Sequence, residues 1–176
     1  AYGVDSLAIG SQNTALASQS VALGYKAVAG ALGADNKIAG LSSVSIGSYT
    51  KTKGSYSVAI GYNTTASTIG DIALGNTATA SGGGTVALGT QAQTNGLYAV
   101  AIGTNSAANS PSSVALGTNS TASVSGSVAI GAGSVANRAA GVAGYDPSTK
   151  TTSTKVDDST WTSTAAAVAV GDADEG

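Results

Sequence analysis

The sequence predicts an all-β parallel solenoid built from fourteen-residue coils. Three observations predict it. A pentapeptide written SVAIG at 127–131 returns along most of the chain, two columns of branched apolar residues flank its central alanine, and bulky core filler is nearly absent. The 176 residues include 25 Gly and no Phe, Met, Cys or His, with 9% charged and 42% hydrophobic residues. A globular domain of this length buries a wide core. This inventory cannot fill one, so the architecture is thin.

Repeats set the frame of a fold and are read first. Relatives of the pentapeptide stand as VALG at 21–24, SVSIG at 43–47, SVAIG at 57–61, IALG at 72–75 and VALG at 86–89. Their closing glycines give Gly10, Gly24, Gly33, Gly47, Gly61, Gly75, Gly89, Gly103, Gly117 and Gly131, and every step from Gly33 onward is fourteen. The step from Gly24 to Gly33 is nine, so one coil reads as five residues short, and AVAGALGADNKIAG at 27–40 is where an irregular coil is expected.

Three before the glycine stand Leu7, Val21, Val44, Val58, Ile72, Val86, Val100, Val114, Val128 and Val142; one before it stand Ile9, Leu23, Ile46, Ile60, Leu74, Leu88, Ile102, Leu116 and Ile130. Residues two apart on a strand share a face, and branched side chains favour strands. Asn63, Asn105 and Asn119, two after the glycine, suit left-handed corners. Ala15, Ala29, Ala66, Ala80, Ala108, Ala122 and Ala136, five after it, suit a second strand crossing back. Stacked about 4.8 Å apart, roughly ten coils make a rod about 45 Å long.

With the branched columns taken as the inward face, the residues between them fall on the opposite face: Ala8, Ala22, Ser45, Ala59, Ala73, Ala87, Ala101, Ala115, Ala129, Ala143 and Ala169. A solvated strand face carries polar residues, and a continuous apolar strip marks an interface. The expectation is a homo-oligomer packed through the strip, with Ala59, Ala73, Ala87, Ala101, Ala115 and Ala129 at the contact.

These repeats, closing with GAGSVANRA at 131–139 and AAAVAVGD at 165–172, resemble the YadA-like head of the trimeric autotransporter adhesins. The resemblance implies a left-handed parallel β-roll and a homotrimer around a threefold axis. It implies display on a coiled-coil stalk outside a Gram-negative outer membrane, where such heads bind host matrix proteins or cells. The membrane is then reached only through a C-terminal anchor beyond this sequence.

Within that frame, 1–144 reads as the roll, 145–167 as a polar insertion in the last coil, and 168–176 as a final strand leading to a neck and stalk. The insertion, YDPSTKTTSTKVDDSTWTSTAAA, holds an Asp146-Pro147 turn and a Thr-rich stretch with strand propensity, and Trp161 is expected to pack it onto the roll. There is no charged-then-apolar leader, no apolar run long enough for a bilayer and no initiating Met, so the chain reads as part of a longer protein.

Without His or Cys there is no imidazole base, thiolate or Cys/His zinc site, so the chain reads as neither an enzyme nor a cofactor carrier. Calcium wants six to eight oxygens, and Asp157-Asp158 reads as a solvated turn. Gly82-Gly83-Gly84 lacks the Lys-Ser/Thr of a phosphate loop and reads as a flexible corner. The triplets opening at Asn63 and Asn119 are assigned no glycan. A net charge of −2 with seven basic residues argues against nucleic acid.

Four of those seven, Lys26, Lys37, Lys51 and Lys53, lie among Tyr25, Tyr49, Tyr56 and Tyr62. Tyrosine and cationic side chains are frequent in binding hot spots, so this band is the candidate ligand surface, against the plainer reading of a solvated edge. Hexapeptide-repeat acyltransferases are set aside because neither a six-residue subrepeat nor a His is present. Thr90, Thr104 and Thr118 stack in one slot, a short ladder for an ice-binding face. The remaining alternative is a passive spacer in a surface fibre. Collagen, fibronectin, laminin and a glycan stay open as ligands.

Overall fold

The computed structural model describes residues 1–32, 38–143, 145–146, 151–152 and 163–171. Lys37, Trp161 and the Asp157-Asp158 pair lie outside them.

Two parallel sheets run the length of the roll. The long sheet stacks, among the described residues, ten strands: Leu7–Ser11, Val21–Tyr25, Val44–Ser48, Val58–Tyr62, Ile72–Asn76, Val86–Leu88, Val100–Ile102, Val114–Leu116, Val128–Ile130 and Val168–Val170. The short sheet stacks nine two-residue strands, from Thr14–Ala15 to Val135–Ala136. Each repeat supplies one strand to each sheet, and pairing is in register, with Ala87 opposite Ala101 and Ala101 opposite Ala115. The corner between the strands is left-handed two residues after the glycine, as at Asn63 (φ 50°), Asn105 (φ 56°) and Asn119 (φ 59°).

The faces of the long strands are the reverse of the expectation. Ala59, Ala73, Ala87, Ala101, Ala115 and Ala129 have no exposed surface in the single chain, so they fill the coil and cannot meet a neighbour. Opposite them the short sheet presents Ala66, Ala80, Ala108, Ala122 and Ala136, also fully buried. The fully buried side chains are all small, alanine, serine and threonine, with Asp71 the one acid among the described residues. Because neighbours on a strand face opposite ways, alanine inside puts valine and isoleucine outside. The valine column is half-buried, and Leu88, Ile102 and Ile130 are 41, 38 and 40% exposed.

The inner face also buries hydroxyls, which buried polar groups permit only when bonded. Ser57 donates to the Gly54 carbonyl at 2.6 Å and Ser113 to that of Ser110 at 2.6 Å, each closing the turn before its own strand. In the coil where Ser45 replaces alanine, its hydroxyl donates to Thr50 Oγ1 at 2.8 Å, and Thr52 donates to Ser43 Oγ at 3.1 Å.

Gly24 pairs directly with Gly47. Gly33 therefore marks no coil, and the irregularity is nine residues inserted, not five missing. The insert leaves the roll as a hairpin in which Ala31–Leu32 pairs antiparallel with Ile38–Ala39. Near the C-terminus Val128–Ile130 pairs directly with Val168–Val170, so Val142 and Ala143 leave the columns assigned to them. Where the described residues leave and rejoin the roll, Gly141 N–H donates to the Ser163 carbonyl at 2.7 Å and Ala167 N–H to the Arg138 carbonyl at 3.0 Å. The short pair Tyr145–Asp146 and Thr151–Thr152 lies within this excursion.

Candidate functional site

Tyr25 and Tyr62 end long strands one residue past the glycine, and Tyr49 occupies the corner between their coils. The stacking brings the three rings together. Tyr25 and Tyr49 meet edge to face at 5.5 Å between centroids, and Tyr49 and Tyr62 at 6.0 Å. Lys26 Nζ lies 5.2 Å from the Tyr25 ring and 5.4 Å from the Tyr49 ring, within cation–π range.

Two of these residues sit where their side chains have a conformational cost. Lys26 (φ 53°) and Tyr49 (φ 60°) are left-handed, a region asparagine enters readily and bulky residues do not. Other coils put Gln12, Asn63, Thr77, Gln91, Asn105 and Asn119 in this slot, so the left-handed corner belongs to the repeat itself.

The rest of the predicted band is more dispersed. Lys51 and Lys53 are exposed on either side of Thr52, Lys51 in the short strand Lys51–Thr52 and Lys53 just after it. The residue stacked under Lys51 is Val28. Tyr56 lies at the opposite corner of its coil, 65% exposed, with its N–H on the Leu41 carbonyl, away from the ring cluster.

Two features went unread in the sequence. The short-sheet side carries a shallow groove of about 440 Å³ lined by Thr77, Gln91, Gln93, Asn105, Ser106 and Ala107; glutamines two and four after the glycine were the available signal. The second is Asp71, fully buried in the slot where other coils use serine or threonine. Its carboxylate accepts from the N–H groups of Thr68, Gly83 and Thr85 and from the hydroxyls of Thr68 and Thr85. The glycine run is thus pinned from beneath. It is also covered from above, since a Cβ on Gly83 would press on Leu97 and one on Gly84 on Tyr98. At the Gly82-Gly83-Gly84 corner Asp71 thus holds Gly83, and Leu97 and Tyr98 of the next coil lie close. Among the described residues no three His, Cys, Asp or Glu side chains group as a metal site.

No match is found among curated proteins. Among solved structures the chain is similar to the collagen-binding domain of the Yersinia adhesin YadA, with 30% identity and a TM-score of 0.59. That likeness covers 73% of this chain and 64% of the Yersinia domain. A family model of the YadA head domain repeat, two copies long, matches residues 1–27, 39–64, 53–78, 66–90, 80–106 and 108–134. The matches pass over the hairpin and stop short of the C-terminal excursion, where the structure departs from the regular coil. With its repeats, its parallel roll and its relative in agreement, the chain belongs to the YadA head family.

Proposed function

We propose that the chain is the head of a bacterial cell-surface adhesin that works as a homotrimer and attaches to host matrix proteins or host cells. The observation that carries this reading is the outer face of the long sheet. Leu7, Ile9, Leu23, Ile72, Leu88, Ile102 and Ile130 are all exposed on it, stacked in register from coil to coil. An apolar stripe of that length on a surface needs a cover. Copies of the same stripe around an axis provide one, and the resemblance of the repeats to trimeric heads supports three.

Attachment then comes from the surfaces left outside. Tyr25, Lys26, Tyr49 and Tyr62 form the compact part of the contact band, with Lys51 and Lys53 beside it. Three copies multiply weak contacts into useful avidity. The Yersinia relative is described as collagen-binding, which makes collagen the first ligand to test here. The test is a solid-phase panel of the purified chain against matrix proteins and host cells, with a charge-matched solenoid as control. Saturable attachment is expected; attachment to none of them leaves a spacer and overturns the reading.

A further inference from the structure

The side of the roll turned away from the apolar stripe offers a separate chemistry, which rests on the adhesin reading and names a ligand class for it. Lys51, Thr65, Thr79 and Gln93 stack in one register on the short sheet. They form a track of three coil steps, about 14 Å. Alongside it, at the left-handed corner, run Asn63, Thr77, Gln91 and Asn105, and both columns enter the 440 Å³ groove. The short sheet lies across the alanine core from the long one, so assembly through the long sheet leaves this track open.

The groove lining is amide and hydroxyl, with Ala107 its one apolar side chain. A protein ligand favours an apolar centre with a polar rim, which the groove lacks. Paired donors and acceptors repeated at one spacing suit a polymer that also repeats its hydroxyls. At the N-terminal end the track reaches Lys26 and Lys51 and the three tyrosines that meet edge to face, whose rings are flat apolar surfaces with a polar tip. Among described residues from 6 to 136 the one acid is Asp71, buried and occupied by its five donors. Lys26, Lys51 and Lys53 are thus free of ion pairing among the described residues, and a lysine ammonium is a compact charge suited to exposed anions.

We propose that this track binds an acidic glycan chain, with carboxylate or sulfate groups at Lys26 and Lys51 and sugar hydroxyls at Thr77, Gln91, Gln93 and Asn105.

The probes are heparin-derived and hyaluronan oligosaccharides of equal length, with neutral dextran as control, titrated calorimetrically into the purified chain. Saturable binding of an acidic oligosaccharide and none of dextran is expected. Lys26→Ser with Lys51→Ser weakens it by roughly tenfold and flattens its salt dependence. Gln93→Ala with Asn105→Ala weakens it with the salt dependence kept, and circular dichroism melts establish that each variant is folded. Failure to bind either acidic probe overturns the proposal, as does equal binding of dextran. Full affinity after the amide substitutions also overturns it, because the contact is then a diffuse charge effect. Attachment to collagen and to cells is measured in parallel. Attachment by a chain that ignores every oligosaccharide overturns the glycan assignment alone, and oligosaccharide binding without attachment to any host surface overturns the adhesin reading alone.

Discussion

Thr85 donates twice to the Asp71 carboxylate of the preceding coil, from its backbone N–H at 3.1 Å and from its hydroxyl at 2.8 Å. One buried side chain therefore ties two coils together at the corner where three glycines leave the backbone most free. In most other coils the same slot is a serine, and Ser57 and Ser113 use it to close a turn within their own coil.

Replacing Asp71 tests that tie. Asp71→Ala leaves the buried Thr85 N–H and the part-buried Thr68 and Gly83 N–H groups without their acceptor, and a loss of about 3 kcal/mol is expected. Asp71→Ser keeps the within-coil bond and loses less. Urea unfolding followed by circular dichroism measures both, and an alanine variant with the parent's midpoint removes the clamp from the account.

Thr94 is the opposite case. Its hydroxyl is buried and has no hydrogen-bond partner, in a column where neighbouring coils place Ala80 and Ala108. Thr94→Val keeps the shape and removes the orphan group, so a gain of about 1 kcal/mol is expected. A lower unfolding midpoint for Thr94→Val counts against a desolvated hydroxyl at this site.

The marker glycine is a steric requirement. Gly61 has φ 138°, and a Cβ there would run into the Gly75 carbonyl oxygen of the next coil. Gly61→Ala is expected to cost more than the 1–3 kcal/mol, roughly, of backbone strain alone. Gly126→Ala is the control, since nothing lies within 4 Å of its added Cβ. Equal thermal midpoints for the two variants would show that the close approach does not govern the repeat.

The two faces of the long strand separate folding from assembly. Leu88→Asp with Ile102→Asp places charges on the outer stripe, and light scattering is expected to show a trimer for the parent and dissociated chains for the variant. Ala101→Leu overpacks the interior and is expected to cost about 1–3 kcal/mol within each coil. A double aspartate variant that stays trimeric with unchanged melting sinks the stripe as the interface.

The period, the strand type and the Asn63, Asn105 and Asn119 corners were legible in the sequence because each follows from local backbone demands. The faces were not. Alternation says that Ala101 and Ile102 point opposite ways, but which way is inward depends on how close the second sheet lies. The facing alanines at 66, 80, 108 and 122 carry that information, since two columns of methyl groups can fill only a narrow gap. The tyrosine cluster was half legible: Tyr25, Tyr49 and Tyr62 fall one or two residues past their glycines, whereas Tyr56 falls five before its own. Asp71 was hidden because its slot is defined by burial, which a list of charged residues does not show.

Gly24 and Gly47 meet in register although nine extra residues leave and return between them. Each rung thus takes its alignment from the rung beside it and from nothing more distant. In inheritance this makes reach a countable trait. An in-frame duplication or loss of one repeat lengthens or shortens the roll by a rung without redesigning any contact, so the length of the roll can vary while each rung keeps its surface.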